Sequence, residues 1–312
     1  MDRRRRETFK SGLIGAAKAT NAWVLTAGTN TGVMRLVGEA VEEGQFLISD
    51  GGVMRRGIKA IGLCSWGYVH SNQRLVNPDP SRANTVRYNA GQEVRPHQPV
   101  ALNPNHTHFL LVDDGYRYSW YGTGGVRRFI GSFESLVAEP APGGLGIPVV
   151  SLIVEGGTDA IFEAKDKLSH GQPCVVVEGT GRAADILSYA HRHASKDAGD
   201  GVYKLKQGNI QHIQAMLRES FADRIRGEEG EKRMKTFVNW VLECVRYSDL
   251  ISVFDIRVEE NLDYTILTSL LKGSDLNLTS QLYLALVWDR VDIAEEKIFS
   301  NKEMSINIAS PK

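Results

Sequence analysis

Several features are missing from this chain of 312 residues, and each absence removes a class of protein. Net charge is absent, with 37 basic and 37 acidic side chains, so no overall field recruits nucleic acid. The basic cluster Arg3 to Arg6 is expected to be solvated. Cysteine is scarce. Cys64, Cys174 and Cys244 include no C-x-x-C pair and no zinc-like spacing with histidine, which excludes a disulfide scaffold and a zinc ribbon. A reducing, cytosolic setting is expected. No apolar run approaches the ~20 residues that span a bilayer, and no apolar stretch follows the first arginines. Neither a membrane-spanning helix nor a secretory signal is expected within this stretch. There is also no Gly-Lys-Ser/Thr, which disfavours a P-loop NTPase.

What is present is an alternation of apolar strand-like runs with amphipathic segments. Residues 23–27 form a short apolar run that empties into Thr26, Ala27, Gly28, Thr29, Asn30, Thr31 and Gly32, and residues 33–41 then repeat with helical period. That is a strand, a tight turn and a helix start. The unpaired amides of such a start and the positive end of its dipole favour an anion. Backbone N–H groups of residues 28–32, the hydroxyls of Thr29 and Thr31 and the Arg35 cation are therefore candidate phosphate contacts.

Further strands are expected over residues 57–64, 106–115, 147–154, 174–177 and 250–255, with helices over 7–19, 126–137, 160–168, 209–221, 231–247, 262–271 and 278–287. Most of these strands lack two-residue alternation. The fold class that follows is α/β, Rossmann-like, with a mostly parallel sheet covered by helices on both faces and a C-terminal α-helical segment. Residues 1–256 are expected to form this Rossmann-like, nucleotide-phosphate-binding domain and 257–312 the α-helical start of a repeat region. Ligands of such sheets bind at the carboxyl ends of the strands. Gly156 and Gly157 follow one strand there; Gly179, Thr180, Gly181 and Arg182 follow another. Thr158 is expected to cap the helix after Gly157. Asp185 is placed to hold either the arginine or a ribose hydroxyl.

Competing readings stand beside several of these. The glycine pair equally suits close helix packing, and the cluster around Tyr121 equally suits stacking a base or covering the sheet edge. Residues 142–146 superficially resemble the PGGxGT signature of phosphoribohydrolases, but they precede a strand, and Ile147 and Val150 stand where the threonine and catalytic glutamate belong. His106 and His108 are expected on one strand face, with no carboxylate or cysteine to complete a metal set. No Ser, His and acid trio or Cys and His pair stands out. No catalytic residue, metal or cofactor is assigned. An enzyme using Glu155, Glu178 or Asp185 beside a ribose, and a pure assembly module, remain as alternatives.

Taken together, WVLTAGTNTGVMRLVGEAV, THFLLVDDG, IPVVSLIVEGG, VVVEGTGRAADILSYAH, LISVFDI and LALVWDRVDIAEEKIF resemble the amino-terminal cytosolic region of melastatin-type transient receptor potential (TRPM) cation channels. The resemblance is to the first two homology regions, a SLOG-type domain, and to the start of the helical repeats. It implies a regulatory domain that binds ADP-ribose or a related nucleotide, on the cytoplasmic face of a plasma-membrane calcium-conducting channel. The implied partners are the remainder of the same channel and neighbouring subunits of a homotetramer. The nucleotide-contacting turns of the family map onto residues 26–32 with Arg35 and onto Gly179 to Arg182. The chain is then expected to be a segment of a longer protein.

Overall fold

Apolar runs that lack alternation become strands, and the structure, a computed structural model, places them in two three-stranded parallel sheets accompanied by helices. It describes residues 1–46, 57–91, 98–115, 125–139, 142–273 and 277–299. The chain divides into two compact units, Leu13–Ile147 and Met1–Gly12 with Pro148–Lys312. The first helix, α1 (Arg3–Thr20), contributes its beginning to the latter and its end to the former.

In the unit Leu13–Ile147 the sheet consists of β1 (Trp23–Thr26), β2 (Lys59–Ser65) and β3 (His108–Val112), in that order with β2 central. Val24 pairs with Ala60, and Gly62 pairs with both Thr26 and Phe109. Helix α2 (Gly32–Phe46) joins β1 to β2, and α3 (Gly125–Ala138) lies after β3. The buried stripe of α2, Leu36, Val37, Ala40 and Val41, recurs at helical spacing. Cys64, Val69 and Leu102 pack together with Phe109 and Tyr88.

In the other unit the sheet runs β4 (Ser151–Ile153), β5 (Cys174–Glu178) and β8 (Ile251–Asp255), with β5 central and almost wholly buried. Helices α4 (Thr158–Ser169), α5 (Arg182–His193), α6 (Gln207–Ser220) and α7 (Gly227–Arg246) enclose one continuous core. Ile161, Ala164 and Leu168 of α4 share that core with Val238, Val241 and Val245 of α7. A small hairpin, β6 (Ser195–Lys196) and β7 (Tyr203–Lys204), precedes α6. Helices α8 (Leu262–Gly273) and α9 (Leu278–Val287) follow β8. Among the described residues no helix is long and apolar enough to cross a membrane.

Several expectations are corrected. The strand expected over 147–154 shrinks to three residues, because Pro148 has no N–H for a ladder and the Ile147 amide donates to Val137 O at 2.9 Å. The strand expected from residue 106 begins at His108, so the two histidines do not share a face: His106 is buried and His108 exposed. Thr158 is not the cap of α4. Gly157 occupies that position, while the Thr158 hydroxyl is buried and accepts from Arg224 Nη1 at 3.1 Å.

Candidate functional site

The turn after β1 is built around a close backbone approach. Gly28 has φ +68°, and a Cβ there would lie 2.6 Å from Gly62 Cα and 2.9 Å from Cys64 Sγ. Only glycine lets β1 turn away from β2 at this distance. The turn is then sewn to residues 98–106. Asn30 N donates to Ala101 O and Asn103 N to Gly28 O, each at 2.8 Å, and Cys64 Sγ donates to Ala27 O at 2.8 Å. Burial pushes the Cys64 thiol up to about 12, so it stays a neutral donor.

These bonds sort the amides of the turn. Gly28 N donates to Thr26 Oγ1 at 2.8 Å and Asn30 N is held by Ala101, so both point into the protein. Gly32, Val33 and Met34 open α2 and have no helical carbonyl to bond, as at any helix start. The Thr29 and Thr31 hydroxyls lie 3.2 Å apart beside them. Arg35, one turn into α2, is exposed, with its Nε 3.8 Å from Glu39 Oε1. Beneath the turn, Ala27, Thr29, Leu63, Cys64, Ser65, Tyr68 and Val126 enclose a cavity of about 10 Å³, room for about one water. Ser65, at the end of β2, is 4% exposed, and its Oγ has no hydrogen-bond partner among the described residues. A buried hydroxyl without a partner is costly, and Ser65 is one of the residues that line this cavity.

The turns in the other unit are differently disposed. After β4, Glu155 and Gly156 take left-handed conformations, and a Cβ on Gly156 would lie 2.7 Å from Ala160 Cβ. Their carbonyls reach the start of α5: Ala184 N donates to Glu155 O at 2.9 Å and Ala183 N to Gly156 O at 3.4 Å. Thr180 Oγ1 accepts from Glu155 N and donates to Val177 O. Asp185 Oδ1 accepts from Gly179 N at 2.7 Å. The Arg182 guanidinium lies over the Phe221 ring, 5.4 Å from its centre. Helix α5 thus begins with two of its amides already bonded to protein carbonyls.

An arginine and carboxylate network completes this edge. Glu178 accepts from Arg192 through Oε2 and from Arg257 through Oε1, and Asp255 binds Arg257 in bidentate fashion at 2.8 and 2.7 Å. That guanidinium holds the Asp255 carboxyl below its ordinary range. Arg5 Nη1 donates to Gly179 O at 3.1 Å.

Of the residues singled out by sequence, Thr26 to Gly32 and Arg35 gather at one turn of the unit Leu13–Ile147. Gly156, Gly157, Gly179 to Arg182 and Asp185 gather in the other unit. Tyr121 lies outside the described residues. Sequence reasoning missed Ser65 and Asn103 at the first turn and Arg5 and Arg257 at the second. Asn103, Arg257 and Arg5 join these turns through bonds to residues 73 to 174 positions away, and only Ser65, at the end of an apolar run, carried a local signal. Among the described residues no group of three His, Cys, Asp or Glu side chains is arranged to hold a metal ion.

A family model described as SLOG in TRPM matches residues 1–244. The chain is 35% identical over 295 residues to human transient receptor potential cation channel subfamily M member 6, covering 94% of this chain and 14% of that protein. It is 34% identical over 310 residues to subfamily M member-like 2 of Nematostella vectensis, covering 96% and 19%. To the Drosophila melanogaster channel trpm it is 33% identical over 303 residues, covering 94% and 14%. The chain therefore spans less than a fifth of the length of these curated relatives.

Proposed function

The chain belongs to the family of SLOG domains in TRPM channels, and from that premise we propose that it is the ligand-sensing part of a cation channel, binding ADP-ribose or a related nucleotide. The phosphates sit at the start of α2, against the amides of residues 32–34 and the Thr29 and Thr31 hydroxyls, with Arg35 swinging from Glu39 to meet them. One observation carries this choice over the other turn. The start of α2 leaves the amides of residues 32–34 without a helical carbonyl, and among the described residues the buried Ser65 hydroxyl has no partner, whereas at α5 Ala183 and Ala184 already donate to Gly156 and Glu155.

Binding without turnover is the favoured chemistry. Both oxygens of Glu178 are held by arginines and Asp185 is bonded to Gly179 N–H, so neither is poised beside a sugar. In the intact channel the domain lies at the cytoplasmic face, against the rest of its own chain and neighbouring subunits of a tetramer. The nucleotide biases opening only through a difference in affinity between closed and open arrangements. Calorimetric titration of the chain with ADP-ribose, AMP, ATP and NAD tests the reading. Saturable heat from at least one supports it; silence from all four at millimolar concentration overturns it.

A further inference from the structure

The phosphate turn is held from behind by a chain of hydrogen bonds whose direction can be worked out atom by atom. Asn105 N–H donates to Asn103 Oδ1 at 3.0 Å, which identifies that atom as the amide oxygen, an acceptor only. His106 Nδ1 lies 3.0 Å from the same oxygen and must therefore carry the ring proton. In the neutral ring Nε2 then offers a lone pair, and Thr26 Oγ1, 2.7 Å away, donates its hydroxyl hydrogen to it. The lone pairs of Thr26 Oγ1 are left to accept Gly28 N–H at 2.8 Å. In the other direction Asn103 Nδ2 donates to Asn30 Oδ1, and Asn30 Nδ2 donates to Ala90 O, each at 3.0 Å.

Each link fixes the sense of the next, and the chain touches the phosphate turn at Thr26, Gly28 and Asn30. The imidazole at its centre is 6% exposed and lies against the Phe109 ring at 5.9 Å. The hydroxyl, imidazole and carboxamide order resembles a nucleophile triad, but Thr26 Oγ1 is engaged by Gly28 N–H and its histidine is sealed from solvent.

We propose that His106 is the positioning residue of the nucleotide site, setting the conformation of residues 26–30 through Thr26 on one side and Asn103 with Asn30 on the other. This rests on the proposed binding of nucleotide phosphates at the start of α2. By turning Gly28 N–H inward and holding Asn30, the chain leaves the next amides to the ligand.

The test uses the 312-residue chain with ADP-ribose as probe, together with nitrogen chemical shifts of the His106 ring. Thr26→Ser keeps the hydroxyl and is expected to bind within about threefold of the parent, whereas the isosteric Thr26→Val is expected to bind about tenfold more weakly or worse. Should Thr26→Val fail to fold, a second pair reads the same link. His106→Gln places an amide oxygen where Nε2 stood and keeps most of the affinity; His106→Asn reaches only Asn103 and loses about tenfold. A merely space-filling ring would not produce that split. The ring itself is expected to show a protonated Nδ1 and a bare Nε2. An Nε2–H tautomer, or equal affinity of Thr26→Val or His106→Asn with the parent, overturns the proposal while leaving nucleotide binding intact. A parent chain that binds no ADP-ribose overturns the functional reading and this role together, and is told apart by the parent's own titration.

Discussion

Acid should weaken this fold through one buried histidine, by an amount that can be worked out from its surroundings. His106 is sealed between Thr26, Asn103 and Phe109, and burial lowers its pKa from 6.5 to about 4. The unfolded chain takes up a proton near 6.5, while the folded chain resists until about 4. Proton uptake across that interval therefore favours the unfolded state. The stabilisation is complete above 6.5 and declines as pH falls towards 4. Two and a half decades at about 1.4 kcal/mol each make this roughly 3 kcal/mol. His106→Gln removes the titration and keeps a bond to Thr26, so it serves as the reference. Urea unfolding followed by tryptophan fluorescence at several pH values between 7.5 and 4 measures both proteins. The stability advantage of the parent over the variant is expected to shrink by about 3 kcal/mol as pH falls from 6.5 to 4. His191, whose pKa burial also lowers, titrates in both proteins and cancels. A stability gap that stays constant across the range would refute the argument.

Other perturbations separate site from scaffold. Arg35→Ala should weaken ADP-ribose binding by roughly 1.5 to 3 kcal/mol, as loss of a charge-assisted phosphate contact does. Arg182→Ala should change affinity by less than about 0.5 kcal/mol if the guanidinium serves Phe221, and calorimetry of the two variants compares them. Gly28→Ala must hold a left-handed conformation and push Cβ to 2.6 Å from Gly62 Cα, so a loss of roughly 2 to 4 kcal/mol in urea unfolding is expected. Arg257→Ala strips Asp255 of its bidentate partner and Glu178 of one of two arginines. It should cost about 1 to 3 kcal/mol of stability with ADP-ribose affinity unchanged; a selective loss of affinity would place the ligand at the other turn.

The alternation of apolar runs and amphipathic segments made the parallel α/β architecture legible, because buried parallel strands carry little two-residue periodicity and α2, α5, α7 and α9 carry clear helical stripes or bounds. Gly28 could be read as a turn residue from its neighbours. That it is required by the backbone of Gly62 could not, since 34 residues separate the two. The similar spelling of the turns at 26–32 and 179–182 suggested equal anion sites. They differ because Glu155 and Gly156, from another strand, cap α5, and nothing near Gly179 announces that. His106 could be seen as structural, yet the direction of its bonds depends on Asn103 and Asn105 in a stretch without periodicity.

The proposed grip of the amides at the start of α2 on the nucleotide is read from amide chemical shifts of the isotope-labelled chain during titration with ADP-ribose. Saturable shifts are expected at Gly32, Val33 and Met34, with Ala183 and Ala184 unmoved because Gly156 and Glu155 already hold them. Shifts centred on Gly179 to Ala184 with the α2 amides still would contradict it.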